Sequence, residues 1–78
     1  MVVQAYILIQ TNVGKAAEVA RAISALTGVT RAEDVTGPYD VIVRAEAPSV
    51  DELGQLVLSQ VQTVPGITRT VTCPVVHM

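Results

Sequence analysis

The residues best suited to bind a small molecule are Gly37-Pro38-Tyr39-Asp40, a tetrapeptide that separates two strand-like segments. Gly37 permits backbone angles closed to other residues, Tyr39 offers an aromatic wall, and the Asp40 carboxylate can accept from a cationic group. The same residues also suit an ordinary hairpin turn in which Asp40 bonds a local amide. Taken alone, this tetrapeptide fits the turn slightly better than the binding site.

A second candidate is the row of hydroxyls on Thr68, Thr70 and Thr72. Alternate residues of a strand share a face, so this row could hold a polar ligand. Threonine is also common in strands for packing reasons, and that is the simpler interpretation.

Nothing in the sequence indicates catalysis. Cys73 is the only cysteine, precedes Pro74 and has no basic neighbour, so we predict a buried structural thiol. His77, the only histidine, is expected to be a solvated tail residue, which leaves no metal site. A pair of carboxylates, Asp34 and Asp40, lacks any sign of a cleft. We therefore expect no enzyme activity, no catalytic residues and no cofactor.

The composition favours assembly. The chain has 78 residues, 50% of them hydrophobic, but no Phe or Trp to fill a private core. A domain this small is marginal alone, and one cysteine cannot form an internal disulfide. We therefore expect a single domain over residues 1–78 that forms a homo-oligomer through an apolar interface.

The charge pattern excludes several classes of partner. Net charge is −2, and the five Lys and Arg residues are scattered rather than clustered, which argues against nucleic-acid binding. The sequence has no apolar run long enough to span a membrane and no signal peptide after Met1. We expect a cytoplasmic protein.

The chain repeats itself. Residues 26–32 (LTGVTRA) match residues 64–70 (VPGITRT), and each copy follows a helical pattern and opens a strand. The sequence therefore predicts two β-α-β halves, residues 1–37 and 38–78. The predicted strands are 2–10, 29–36, 39–47 and 66–73, and the predicted helices are 14–27 and 49–64.

The order βαββαβ predicts an α+β, ferredoxin-like sandwich, a four-stranded antiparallel sheet with both helices on one face. The second helix has the clearest start, because Ser49 and Glu52 are spaced as a capping box. The uncovered face is suited to pairing sheet to sheet with a twofold copy as a dimer. Its predicted residues are Gln4, Tyr6, Leu8, Arg44, Thr68, Thr70 and Thr72.

Three motifs together resemble a known family. They are the opening Ala5-Tyr6-Ile7-Leu8-Ile9, the segment from Val35 to Val41 that carries G-x-Y-D, and Pro65-Gly66-Ile67 before the last strand. In order and spacing they resemble, over essentially the whole chain, the effector-binding domain of the leucine-responsive/asparagine-responsive (Lrp/AsnC) transcriptional regulators, also called the regulation of amino-acid metabolism (RAM) domain.

The resemblance implies dimers formed sheet to sheet and rings of dimers, often octamers. It also implies a small effector, commonly an amino acid, bound between dimers near the hairpin. Carried over by position, the ligand-binding residues are Gly37, Tyr39 and Asp40, with Thr70 and Thr72 as further contacts. Hairpin amides can bind the carboxylate of an amino acid, and Asp40 can bind its ammonium group.

Full-length members of that family carry a helix-turn-helix domain before the first strand. We therefore expect this chain not to bind DNA itself but to modulate transcription or amino-acid metabolism through partners, among them full-length relatives in mixed assemblies. Two alternatives stay open: a purely structural assembly module and a small dimeric α+β barrel enzyme. Ferredoxin-like domains host all three functions.

Overall fold

The computed structural model describes residues 2–76 and confirms the predicted fold. Four strands form one antiparallel sheet in the order β2-β3-β1-β4, which leaves the charged strand β2 at an edge. The bounds are β1 Val3–Thr11, α1 Ala16–Ser24, β2 Val29–Asp34, β3 Val41–Ala47, α2 Val50–Leu56, a π-helical turn Val57–Val61 that continues α2, and β4 Ile67–Pro74.

The core lies between the sheet and the two helices. Alternate residues of the central strands β1 and β3 face the helices and are buried, as a two-residue period requires. The helices contribute the stripes that their spacing predicts. The buried residues are Ala5, Ile7, Ile9, Val19, Ala20, Ile23, Val41, Val43, Ala45, Ala47, Leu53, Leu56, Val57 and Val61.

The second helix begins where the capping box predicts and ends differently. The Ser49 Oγ accepts from the backbone amide of Glu52 at 3.1 Å. After Leu56 the chain widens into the π-helical turn, and the Gln62 amide donates to the Val57 carbonyl at 3.0 Å. The wider turn keeps both Val57 and Val61 buried, as predicted. The helical segment ends at Val61, before the predicted end at residue 64.

Both copies of the sequence repeat form the same local structure, a glycine with positive φ followed by a β-bulge. In each copy a glycine with positive φ (Gly28 at 94°, Gly66 at 99°) precedes a strand that is shifted by one residue. Thr30 is the unpaired residue of β2, because Val29 pairs with Ala45 and Arg31 with Arg44. Thr68 has the same role in β4, between the Ile67–Thr11 and Arg69–Gln10 pairs. A β-bulge re-aims the side chains that follow it.

The bulge at Thr68 overturns two sequence-based predictions. Thr70 pairs with Ile9 and Thr72 with Ile7, so both threonines lie on the helix side of the sheet rather than on the uncovered face. Cys73 pairs with Tyr6 on the uncovered face and is exposed, not buried. A single inserted residue reverses the facing of every side chain after it.

At Gly28 the two halves of the chain pack closely against each other. A Cβ at Gly28 would lie 2.9 Å from the Glu46 carbonyl oxygen, and its φ is unfavourable for other residues. We expect Gly28→Ala to lower the free energy of unfolding by about 2–4 kcal/mol. Gly54→Ala is the matched control, since it lies in α2 with nothing within 4 Å of the added Cβ, and it should stabilise by about 0.5–1 kcal/mol. Urea unfolding curves of both variants measure the difference, and equal midpoints would contradict the assigned contact.

Candidate ligand-binding hairpin

The hairpin between β2 and β3 is fastened to the neighbouring strand β1. Gly37 has φ 133°, which other residues rarely adopt. The Val35 amide donates to the Asp40 carbonyl and the Asp40 amide to the Ile9 carbonyl, both at 2.8 Å. These two bonds close the base of the hairpin and fix its position beside the end of β1.

The Asp40 carboxylate has a structural partner that the sequence did not indicate. Its Oδ2 accepts from the Thr11 amide at 2.8 Å, and the residue is half-buried. The predicted bond from Asp40 to a local amide of the turn is therefore wrong, because the carboxylate bonds an amide 29 residues away in the sequence. Among residues 2–76, no hydrogen-bond donor contacts the other carboxylate oxygen, Oδ1. The bond to Thr11 orients the carboxylate and leaves one oxygen free for a ligand.

The tip of the hairpin presents free donors. The Gln10 side-chain amide donates to the Pro38 carbonyl at 3.0 Å, which holds the tip against β1. Within the described part of the chain, the backbone amides of Gly37 and Tyr39 donate to no protein acceptor. Two amide donors and one carboxylate oxygen thus lie within four consecutive residues, beside a half-buried Tyr39.

The strand-four threonines lie apart from the hairpin. Strand β1 separates β4 from β3, so Thr70 is two strand spacings, about 10 Å, from the base of the hairpin. The Thr70 hydroxyl accepts from the Gln62 side-chain amide at 3.0 Å. Thr70 lines a surface concavity of about 290 Å³ with Gln62, Ile67, Thr68 and Arg69, whereas Thr72 is exposed on the edge strand.

The hairpin lies apart from the main surface concavities of the described chain. Four surface concavities have volumes between about 290 and 450 Å³, and none of these four is lined by Gly37, Tyr39 or Asp40. The largest lies beside the start of α2, at Gly28, Ala47 and Pro48.

The described residues contain no group of three or more His, Cys, Asp and Glu that could hold a metal ion. His77 lies outside the described residues. Nor do residues 2–76 include a helix long and apolar enough to cross a membrane.

Sequence reasoning missed two polar residues that anchor the hairpin, Gln10 and Thr11. Their only signal in the sequence was the polar end of strand β1.

Comparison with curated proteins gives partial matches. An uncharacterized HTH-type transcriptional regulator of Pyrococcus furiosus, PF0250, is 31% identical over 55 residues, which are 70% of this chain and 37% of that protein. A homocitrate synthase of Sulfurisphaera tokodaii is 33% identical over 54 residues, which are 69% of this chain and 12% of that enzyme. The chain thus spans well under half the length of either relative.

Solved structures match almost the whole chain. TTHA0845 of Thermus thermophilus has a TM-score of 0.91 at 28% identity, and the match covers 97% of this chain and 95% of the other. AsnC of E. coli has a TM-score of 0.89 at 25% identity, with 97% of this chain and 52% of its own covered. The Neisseria meningitidis regulator NMB0573, in complex with L-Met, shares the fold at 19% identity, a TM-score of 0.84 and coverage of 96% and 50%.

The model of one protein family matches the chain from residue 4 to residue 78, a range that includes both helices, β2 to β4, and β1 from its second residue onward. That family is the Lrp/AsnC ligand binding domain. The chain belongs to the Lrp/AsnC ligand-binding domain family, which it shares with transcriptional regulators.

Proposed function

We propose that this chain senses an amino acid at the Gly37–Asp40 hairpin and does so as a homo-oligomer. One observation carries the proposal: the unpaired amides of Gly37 and Tyr39 lie beside an Asp40 carboxylate that the Thr11 amide holds in place. Donors for an anion and an acceptor for a cation occur together in four residues. An α-amino acid has both complementary groups.

Each charged group of an α-amino acid has a partner at the hairpin. The α-carboxylate accepts from the hairpin amides, as anions do in backbone concavities. The α-ammonium donates to the free Oδ1 of Asp40, a charge-assisted bond. Tyr39 limits access of water to both. The L-Met held by the Neisseria relative supports an amino acid as the class of effector, and the side chain preferred by this protein is left open.

The second wall of the site comes from another copy. Leu8, Ile42 and Val71 lie side by side on the uncovered face of the sheet and form an apolar band. We propose that two sheets pair through this band to make a dimer, and that dimers assemble further, into a ring, around the hairpins. Thr70 and Thr72 then contribute from a neighbouring subunit rather than from the same chain.

The proposed role is regulatory. The matched regulators support an effect on transcription or amino-acid metabolism through partners, full-length relatives among them, without catalysis by this chain. The segment shared with a homocitrate synthase fits a sensing module that is joined to different proteins. A cytoplasmic location remains a prediction of the sequence.

A thermal-shift screen of the twenty common amino acids tests the proposal. At about a hundredfold its Kd, a ligand adds about 2.7 kcal/mol of stability, which raises the Tm of a domain this size by roughly 10 °C or more. We expect one amino acid, or a few of related shape, to raise the Tm, and the D-enantiomer to act less. An intact oligomer with no response to any amino acid would support the structural-module alternative and contradict sensing.

A further inference from the structure

The uncovered face of the sheet contains a second polar site, distant in sequence from the hairpin. A concavity of about 300 Å³ is lined by side chains from β1, β2 and β3. Its residues are Tyr6, Arg31, Glu33, Ile42 and Arg44. None of them belongs to the hairpin cluster, so this concavity needs an explanation of its own.

Two like charges face each other in this concavity. Arg31 pairs directly with Arg44 across β2 and β3, and like charges in that position are destabilising. The bulge at Thr30 produces the juxtaposition, because it turns Arg31 to the uncovered face. The Thr30 hydroxyl also donates to the Arg44 carbonyl at 3.1 Å, which fastens the bulge to β3.

Arg44 makes no direct ion pair within the described chain; Gln4, which accepts from Arg44, in turn donates to the Glu46 carboxylate at 3.1 Å. Arg31 Nε lies 3.1 Å from Glu33 Oε1, the one ion pair of either arginine among residues 2–76. Arg44 bonds only neutral oxygens, the Tyr6 hydroxyl at 2.6 Å and Gln4 Oε1 at 2.9 Å. No carboxylate of the described chain lies within 4.0 Å of the Arg44 guanidinium.

Both arginines and Tyr6 have free donors in the concavity. A guanidinium has five N–H donors and no acceptor, and both arginines retain unused ones. The Tyr6 hydroxyl accepts from Arg44, so its own proton is available to a further acceptor. The Tyr6 ring lies under the Arg44 guanidinium, 5.2 Å from ring centre to carbon, and fixes its plane.

We infer that this concavity, the Arg31–Arg44 site, binds a small oxyanion of the phosphate or carboxylate class. Planar guanidiniums bind such oxygens in pairs, and the bound charge offsets the repulsion between the two arginines. The site lies on the face that we propose pairs with a second copy. The inference rests on that pairing for the wall that covers the anion, and anion binding then strengthens the assembly.

Melting curves at constant ionic strength test the inference, with sodium phosphate or sodium succinate replacing sodium chloride. We expect both anions to raise the Tm of the wild type by about 3–6 °C. Arg44→Gln and Arg31→Gln should abolish the rise, and Tyr6→Phe should reduce it. Arg69→Gln is the matched control, because Arg69 follows the equivalent bulge on the same face, outside the concavity. It should keep the rise.

The outcomes separate this inference from the proposed function. Phosphate also stabilises proteins by exclusion from their surface, so an equal rise in all variants would overturn the site. No rise in a wild type that light scattering shows to be oligomeric would overturn it too and leave the proposed assembly intact. A monomeric wild type would instead contradict the proposed sheet pairing. A fall in Tm with either anion would indicate that a carboxylate of the second copy occupies the site, against the inference.

Discussion

Leu8→Glu should convert the protein from an oligomer into a monomer of 8.2 kDa. Leu8 lies at the centre of the uncovered face, between Ile42 of β3 and Val71 of β4. If two sheets pair there, the twofold axis buries two added carboxylates that have no partner. An unpaired buried charge costs about 3–5 kcal/mol, so two of them exceed what a small interface supplies. Size exclusion with light scattering at micromolar concentration measures the mass.

Leu58→Glu is the matched control for that variant. The substitution is again leucine to glutamate, but Leu58 lies on the helix side of the molecule and is 65% exposed. We expect it to remain at least dimeric. If Leu8→Glu keeps the mass of the wild type, the uncovered face is not the pairing surface, and if Leu58→Glu also dissociates, the effect is not specific to that face.

Asp40→Asn should weaken effector binding by roughly ten- to a hundredfold while the fold persists. A charge-assisted hydrogen bond is worth about 1.5–3 kcal/mol, and each 1.4 kcal/mol is about a factor of ten in Kd. The asparagine retains an oxygen that can accept from the Thr11 amide, so the hairpin stays fastened to β1. Calorimetric titration gives the affinity, and melting curves give the stability.

Asp40→Ala separates the two roles of that carboxylate. It removes the bond to the Thr11 amide as well as the charge, so it should weaken binding and also cost about 1–3 kcal/mol of stability. An Asp40→Asn variant that binds as tightly as wild type would show that Asp40 serves the turn alone. The simple turn interpretation would then be the correct one.

Much of the fold follows from local patterns. Alternation in β1 and β3 marks Ile7, Ile9, Val41 and Val43 as buried, and the structure confirms each of them. Helical spacing marks the stripes on α1 and α2 in the same way. The Ser49 cap was predictable because both partners lie within one turn of the chain. Such features depend on residues that are close in sequence, and the periodicity of the apolar residues shows them directly.

The faces of the edge strands were not predictable in this way. The bulges at Thr30 and Thr68 depend on how each edge strand meets its partner, a property that alternation within one strand does not contain. The repeat of Gly-x-Thr-Arg was visible in the sequence, but the β-bulge at the threonine of each copy was not. Thr70 and Thr72 were assigned to the wrong face of the sheet for this reason.

The candidate site, like the fold, has some features that the sequence predicts and others that it does not. Residue types alone select the hairpin, since a glycine, an aromatic ring and a carboxylate in four positions are distinctive. The partner of Asp40 could not be read from sequence, because Thr11 reaches it only after β1 and β3 have paired. In the assembly that we propose, a second copy closes the site, and the sequence of one chain does not specify how that copy docks.

We propose that an assembled form of this chain binds an amino acid at the hairpin. Calorimetric titration tests it most directly, with the amino acid that gives the largest thermal shift added to wild type, Asp40→Asn and Leu8→Glu. We expect saturable binding to oligomeric wild type, weaker binding to Asp40→Asn, and little or none to monomeric Leu8→Glu. Equal binding to all three proteins, or no heat of binding from any of the twenty amino acids with oligomeric wild type, would contradict it.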